Sequence, residues 1–118
     1  MEDAVVIEGI EDDPVIRTSW LESKIDPEEI PEVGTTTTIV KIRRVTSRFF
    51  VSERNPRGER YIIVTPLGDT YLNWTSFRKL RDAFGTDTKE WRGKEVTITK
   101  RLELVRGVER QVLYFEPA

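Results

Sequence analysis

The 118-residue chain contains no cysteine and no histidine. The first absence removes disulfides, thiolate nucleophiles and the usual structural zinc sites, and it fits a reducing interior. The second removes the commonest general base and the commonest metal ligand, and with them every Cys/His and Ser/His/Asp arrangement. Long apolar runs are missing too. None approaches the roughly 20 residues of a membrane span, and Met1-Glu2-Asp3 stands where a secretory signal would be basic and then apolar. The expectation is a cytoplasmic protein without membrane association. Thermolabile residue types are reduced to Asn55, Asn73, Gln111 and Met1 beside dense charge, a balance that leans towards a thermophilic source.

Chemistry would therefore have to run on carboxylates, lysine, tyrosine or serine. The adjacent carboxylates Asp12-Asp13 and Glu28-Glu29 lie in loop-like segments, where no rigid frame holds a general acid against a base. The stretch Asn73 to Phe77 contains no glycine, so it offers neither a Walker loop nor a dinucleotide fingerprint. The reading is of a protein that is not an enzyme and carries no cofactor and no metal.

What is present is charge, unevenly distributed. Residues 1 to 32 carry eleven acids against Arg17 and Lys24, whereas residues 33 to 118 carry seventeen lysines and arginines against ten acids. A basic body bears an acidic N-terminal part. Residues 1 to 14 show no sustained period and read as a mobile acidic arm, with residues 15 to 118 as the folded domain. The arm is solvating, or competes for the basic face, or recruits a protein partner through Ile7, Ile10 and the surrounding acids.

Periodicity supplies the elements. Asp26 caps a short turn opened by Pro27. Thr35 to Val45 is β-branched and alternating, with Val40 and Ile42 on one side and Lys41 and Arg43 on the other, and it reads as a long first strand that bends on through Val51. Glu53 to Gly58 is a polar turn, Arg60 to Thr65 a second strand, Pro66 to Asp69 a turn and Thr70 to Asn73 a third strand. A helix is expected over about Thr75 to Phe84 from Phe77, Leu80 and Phe84, with Gly85 as its C-terminal cap. Val96 to Leu104 is a fourth strand with Val96, Ile98, Leu102 and Leu104 inward, and Gln111 to Glu116 a fifth beyond the Arg106-Gly107 turn. The order, β-β-β-α-β-β, is that of an all-β five-stranded OB-type Greek-key barrel with one helix between strands three and four.

The stretch from Leu72-Asn73-Trp74-Thr75 through Phe84-Gly85-Thr86-Asp87-Thr88 to Trp91-Arg92-Gly93-Lys94 resembles small OB-like domains of phage and archaeal genomes. These carry a strand ending in Leu-Asn, a short helix ending in Phe-Gly or Tyr-Gly, an Asp-Thr, and then Trp-x-Gly-Lys before a strand. The similarity runs, more faintly, from Trp20-Leu21 to Tyr114-Phe115-Glu116-Pro117. It implies the fold, and with it the binding of single-stranded DNA. Trp74 departs from the pattern, since that position is often polar in the resembling domains. Physically the motif is structural: Asn73 or Thr75 caps the helix, Asp87 and Gly93 shape the next turns, and Trp91 is read as core.

Single-strand binding needs cations for phosphates and flat rings for bases on one surface. In an OB barrel that surface is built from strands two and three with the loops between strands one and two and strands four and five. The candidates are the basic cluster Lys41, Arg43 and Arg44; Arg48, Phe49 and Phe50 in the first loop; Arg60, Tyr61 and Tyr71 on strands two and three; Trp74 at the helix start; and Arg101, Arg106 and Arg110 on the last hairpin. Each has an ordinary alternative, charge solvating a strand edge or a ring packing in the barrel. The expected partner is single-stranded nucleic acid, DNA favoured over RNA. The alternative is a protein-interaction module of a replication, repair or viral assembly that touches no nucleic acid.

Overall fold

The computed structural model describes residues 4–7 and 23–118, and the fold they form is mostly β with one α-helix. The strands are β1 (Ala4–Ile7), β2 (Thr35–Thr38), β3 (Lys41–Ser47), β4 (Glu59–Thr65), β5 (Gly68–Tyr71), β6 (Glu95–Val105) and β7 (Val108–Pro117); the helix α1 is Trp74–Phe84. Short 3₁₀ turns occupy Pro27–Glu29, Arg48–Phe50 and Thr88–Trp91. The strands form a four-stranded sheet in the order β1-β3-β4-β5 and a three-stranded sheet in the order β2-β6-β7, every ladder antiparallel. Residues 4–7, within the segment read as an arm, pair with β3. The rest of that segment, and the partner-recruiting role given to it, lie outside the described residues.

The expected single bent strand is two strands in two sheets. The Ile39 N–H donates to the Lys94 carbonyl at 2.9 Å, whereas the next N–H, of Val40, donates to the Val64 carbonyl at 2.8 Å. The chain changes partner between consecutive residues, so alternation cannot carry across: Ile39 is buried and Val40 is 48% exposed, not inward with Ile42. The expected continuation through Val51 is instead the Arg48–Phe50 turn, capped by Ser47, whose Oγ accepts from the Phe49 N–H at 3.1 Å. Seven strands stand among the described residues where five were expected, and no ladder joins the two sheets into a closed barrel.

The core lies between the sheets and α1, around Ile39, Ile42, Ile63, Phe77, Leu80, Trp91, Val96, Ile98 and Phe115. Trp91 is fully buried, and its indole N–H donates to the Gly85 carbonyl at 2.9 Å, joining the end of the helix to the following turn. Asn73 caps α1, accepting from the Ser76 N–H at 2.8 Å, and Gly85 ends it at φ 98°. Asn73 also serves the sheet. Its Nδ2 donates to the Leu113 carbonyl at 2.9 Å, and the Ser76 hydroxyl accepts from the Phe115 N–H at 2.8 Å. The first turn of the helix thus satisfies backbone groups on the outer edge of β7, an edge that would otherwise offer pairing to another chain.

The alternation expected of the fourth strand persists in β6, but its burial does not. Leu102 and Leu104 were expected inward and are 64% and 71% exposed. β2 pairs only with residues 95–98 of β6, and on that face the buried positions end with Ile98 and, on β7, Leu113. The hairpin runs on past the core as a two-stranded ribbon with register intact to Val105 opposite Val108.

Candidate functional site

A groove of about 810 Å³ opens where the loop after β3, the start of β4, the end of β5 and the first turn of α1 meet; it is lined by Arg54, Asn55, Glu59, Arg60, Tyr61, Leu72, Asn73, Trp74, Phe77 and Arg78. Its wall is a stack of three rings. Tyr61 lies on Phe77 with centroids 4.5 Å apart and planes at 23°, and Phe77 lies on Trp74 at 5.3 Å and 14°. Phe77 belongs to the core, so the stack is anchored below, while Trp74 at its outer end is 57% exposed. The Arg78 guanidinium stands 6.0 Å from the Trp74 ring centroid, as residues four apart on a helix allow.

The facing loop is fixed by its own hydrogen bonds. Asn55 Nδ2 donates to the carbonyls of Phe50 and Glu59 at 3.3 and 2.9 Å, and its Oδ1 accepts from the Glu59 N–H at 3.2 Å. Gly58 closes the loop at φ 65°, where a Cβ would come within 2.2 Å of the Ser47 carbonyl oxygen. Only glycine fits that approach.

The expected site residues divide between two faces of the four-stranded sheet. Register places Lys41, Arg43, Arg60 and Tyr71 on one face and Arg44 and Tyr61 on the other, because Val45 pairs with Arg60, Arg44 with Tyr61, and Ile62 with both Arg43 and Tyr71. The groove holds Tyr61 and Trp74. On the opposite face the Arg60 guanidinium lies 4.4 Å from the Tyr71 ring centroid and 5.3 Å from that of Phe50, and these two rings meet edge to face at 6.2 Å. Burial pushes the Arg60 guanidinium below its usual value, with Tyr71 acting in the opposite sense, and arginine starts so high that it stays cationic at neutral pH. The one surface expected from the sequence is two.

Arg43 is not part of an exposed cluster. It is buried and paired with buried Asp69, Nη2 to Oδ2 at 3.4 Å, because both faces of β3 are covered at this position. Lys41 and Arg44 are half-buried, and the Arg44 Nε is buried without a hydrogen-bond partner among the described residues. Phe49 is 74% exposed beside the Arg48 guanidinium, 5.9 Å from its ring centroid. Arg101, Arg106 and Arg110 are exposed on the β6–β7 ribbon and are not among the residues that line the groove. There the Arg101 guanidinium covers Tyr114 at 4.2 Å, and the Tyr114 hydroxyl donates to the Glu103 carboxylate.

Sequence reasoning maps the binding face onto Arg48 to Arg60 without singling out Arg54, Asn55 or Glu59 within it, and it misses Arg78. The four-residue spacing from Trp74 was the available signal for Arg78, and the two-residue spacing from Tyr61 was the signal for Glu59. For Arg54 and Asn55 the signal is no more specific than a polar turn within that expected binding loop. No helix among the described residues is long and apolar enough to cross a membrane. Comparison with protein-family models, curated proteins and solved structures finds no match to this chain.

Proposed function

We propose that the protein binds single-stranded nucleic acid in this groove, a base stacking on Trp74 and the strand's phosphates meeting Arg54 and Arg78. The observation that carries the reading is the ring stack. Phe77 sits in the core and fixes the plane of Trp74, which presents an exposed aromatic surface at a groove lined by three arginines and a single acid. An exposed ring held rigid from below is what base stacking requires, since its ordering is complete before the ligand arrives. The OB reading of the fold supports the same conclusion. That reading takes β3, β4 and β5 as the first three strands, β2 as the other half of the bent first strand, and the loop after β3 as a binding loop. DNA remains favoured over RNA on the resemblance of the segment from Leu72 to Lys94.

The test is Trp74→Ala, read by anisotropy of a labelled oligo-dT. Removing one stacking ring should weaken binding by about 1–3 kcal/mol. Unchanged affinity would remove the groove from the binding account.

A second reading, a protein-docking module, has one observation in its favour: the projecting ribbon exposes Leu102 and Leu104 on one face and Val105 and Val108 on the other. Replacing Leu102 and Leu104 with serine separates the two. Oligonucleotide binding that survives this change and is lost in Trp74→Ala belongs to the groove.

A further inference from the structure

The polar groups of the groove are unequally committed. The side-chain amides of Asn55 and Asn73, the usual readers of a base edge, are consumed by the protein: Asn55 by Phe50 and Glu59, Asn73 by Ser76 and Leu113. The arginines can only donate. The Glu59 carboxylate is not consumed in this way. Its backbone is clamped on both sides by Asn55, it shares its face of β4 with Tyr61 by alternation, and it has no ion pair or side-chain hydrogen bond among the described residues.

An uncommitted carboxylate is out of place in a groove for a polyanion unless the ligand brings donors to it. The bases differ in what they bring. The Watson–Crick edge of guanine carries two adjacent donors, N1–H and the N2 amine, which match the two oxygens of a carboxylate. Adenine and cytosine present one amine beside a ring-nitrogen acceptor, which repels the second oxygen, and thymine presents one N–H between two carbonyls. The other edge of guanine carries the O6 and N7 acceptors that an arginine fork reads. A groove holding both a carboxylate and arginines has a partner for each edge.

We infer that Glu59 makes the groove selective for guanine, accepting from N1–H and the N2 amine of a base stacked on Trp74. The inference rests on the single-strand reading above. A site with an acceptor to satisfy rejects the ligands that leave it unpaired, so selectivity comes as much from the cost to thymine as from the gain to guanine.

The experiment titrates the full chain, wild type and Glu59→Gln, with labelled oligo-dT in which one central base is dT, dG, dA, dC or deoxyinosine. The wild type should prefer dG over dT by about tenfold, the scale of a bidentate base contact. Deoxyinosine, which lacks the N2 amine, should lose most of that preference. In Glu59→Gln the preference for dG should collapse while binding of plain oligo-dT holds or improves. Equal wild-type affinity for all five strands, or a dG preference that survives Glu59→Gln, overturns the inference and leaves the single-strand reading standing. No binding of any strand at low salt overturns both. Displacement of a bound strand by an equal concentration of GMP overturns both in a different way, by making the groove a mononucleotide site.

Discussion

Arg43 and Arg60 share one face of the four-stranded sheet, and their surroundings give them different work. Arg43 is closed off with Asp69, whose Oδ1 also accepts from the Ser23 N–H at 3.2 Å while its backbone exchanges hydrogen bonds with Ser23 and Ile25. Arg43→Ala would leave the Asp69 carboxylate buried without this partner, and should cost about 3–5 kcal/mol in chemical denaturation. A loss under 1 kcal/mol would mean that water reaches the pair. Lys41-Ile42-Arg43-Arg44 shows four residues of a strand and nothing of what covers them; the partner of Arg43 lies 26 positions away. Trp91 was legible because a large apolar ring beside fixed turns has few alternatives to the core. Asn73 was legible only in part: its cap follows from the helix that begins after it, whereas its bond to Leu113 depends on tertiary placement.

The elements were read from period and punctuation, and these held where one partner covers the whole element. Helix α1, the turn capped by Asp26 and the β6–β7 hairpin follow their local signals closely. The reading failed where a strand outruns or changes its partner, as at Ile39-Val40 and beyond Ile98, because period records which way a side chain points and not what lies there. On the ribbon, the hydrogen bond that the Tyr114 hydroxyl donates to Glu103 raises the phenol above its ordinary pKa of about 10, with desolvation and the Glu103 charge acting in the same direction and Arg101 opposing. A folded value above the unfolded one means that this contribution to stability is complete below the unfolded pKa and is lost as pH rises through the folded one. Absorbance at 295 nm, taken as the difference between wild type and Tyr114→Phe, should place this phenol above a free tyrosine, and Glu103→Gln should bring it back down. An ordinary midpoint in the wild type would mean that the contact does not persist in solution.

For the whole molecule the governing feature is segregated charge: a net −2 divides into an acidic first 32 residues and a basic remainder, and the groove lies on the basic part. That division was legible from composition, and so was the pairing of rings with arginines. Which rings share a surface was not, because Tyr61 and Tyr71 part company through sheet register, which a single strand does not encode. The Tyr61–Phe77–Trp74 stack joins β4 to α1, a contact between elements with no local signature.

The most direct measurement is a tryptophan-fluorescence titration with single-stranded and duplex oligonucleotides at 50 and 200 mM salt. Trp91 is buried, so quenching that Trp74→Ala abolishes reports on the groove. Single strands should quench saturably and duplex little, with an affinity that falls with salt at a log–log slope of about −1.4, as two phosphate contacts to a single strand require. Unquenched fluorescence, with no shift of a labelled strand at the lower salt, would contradict it.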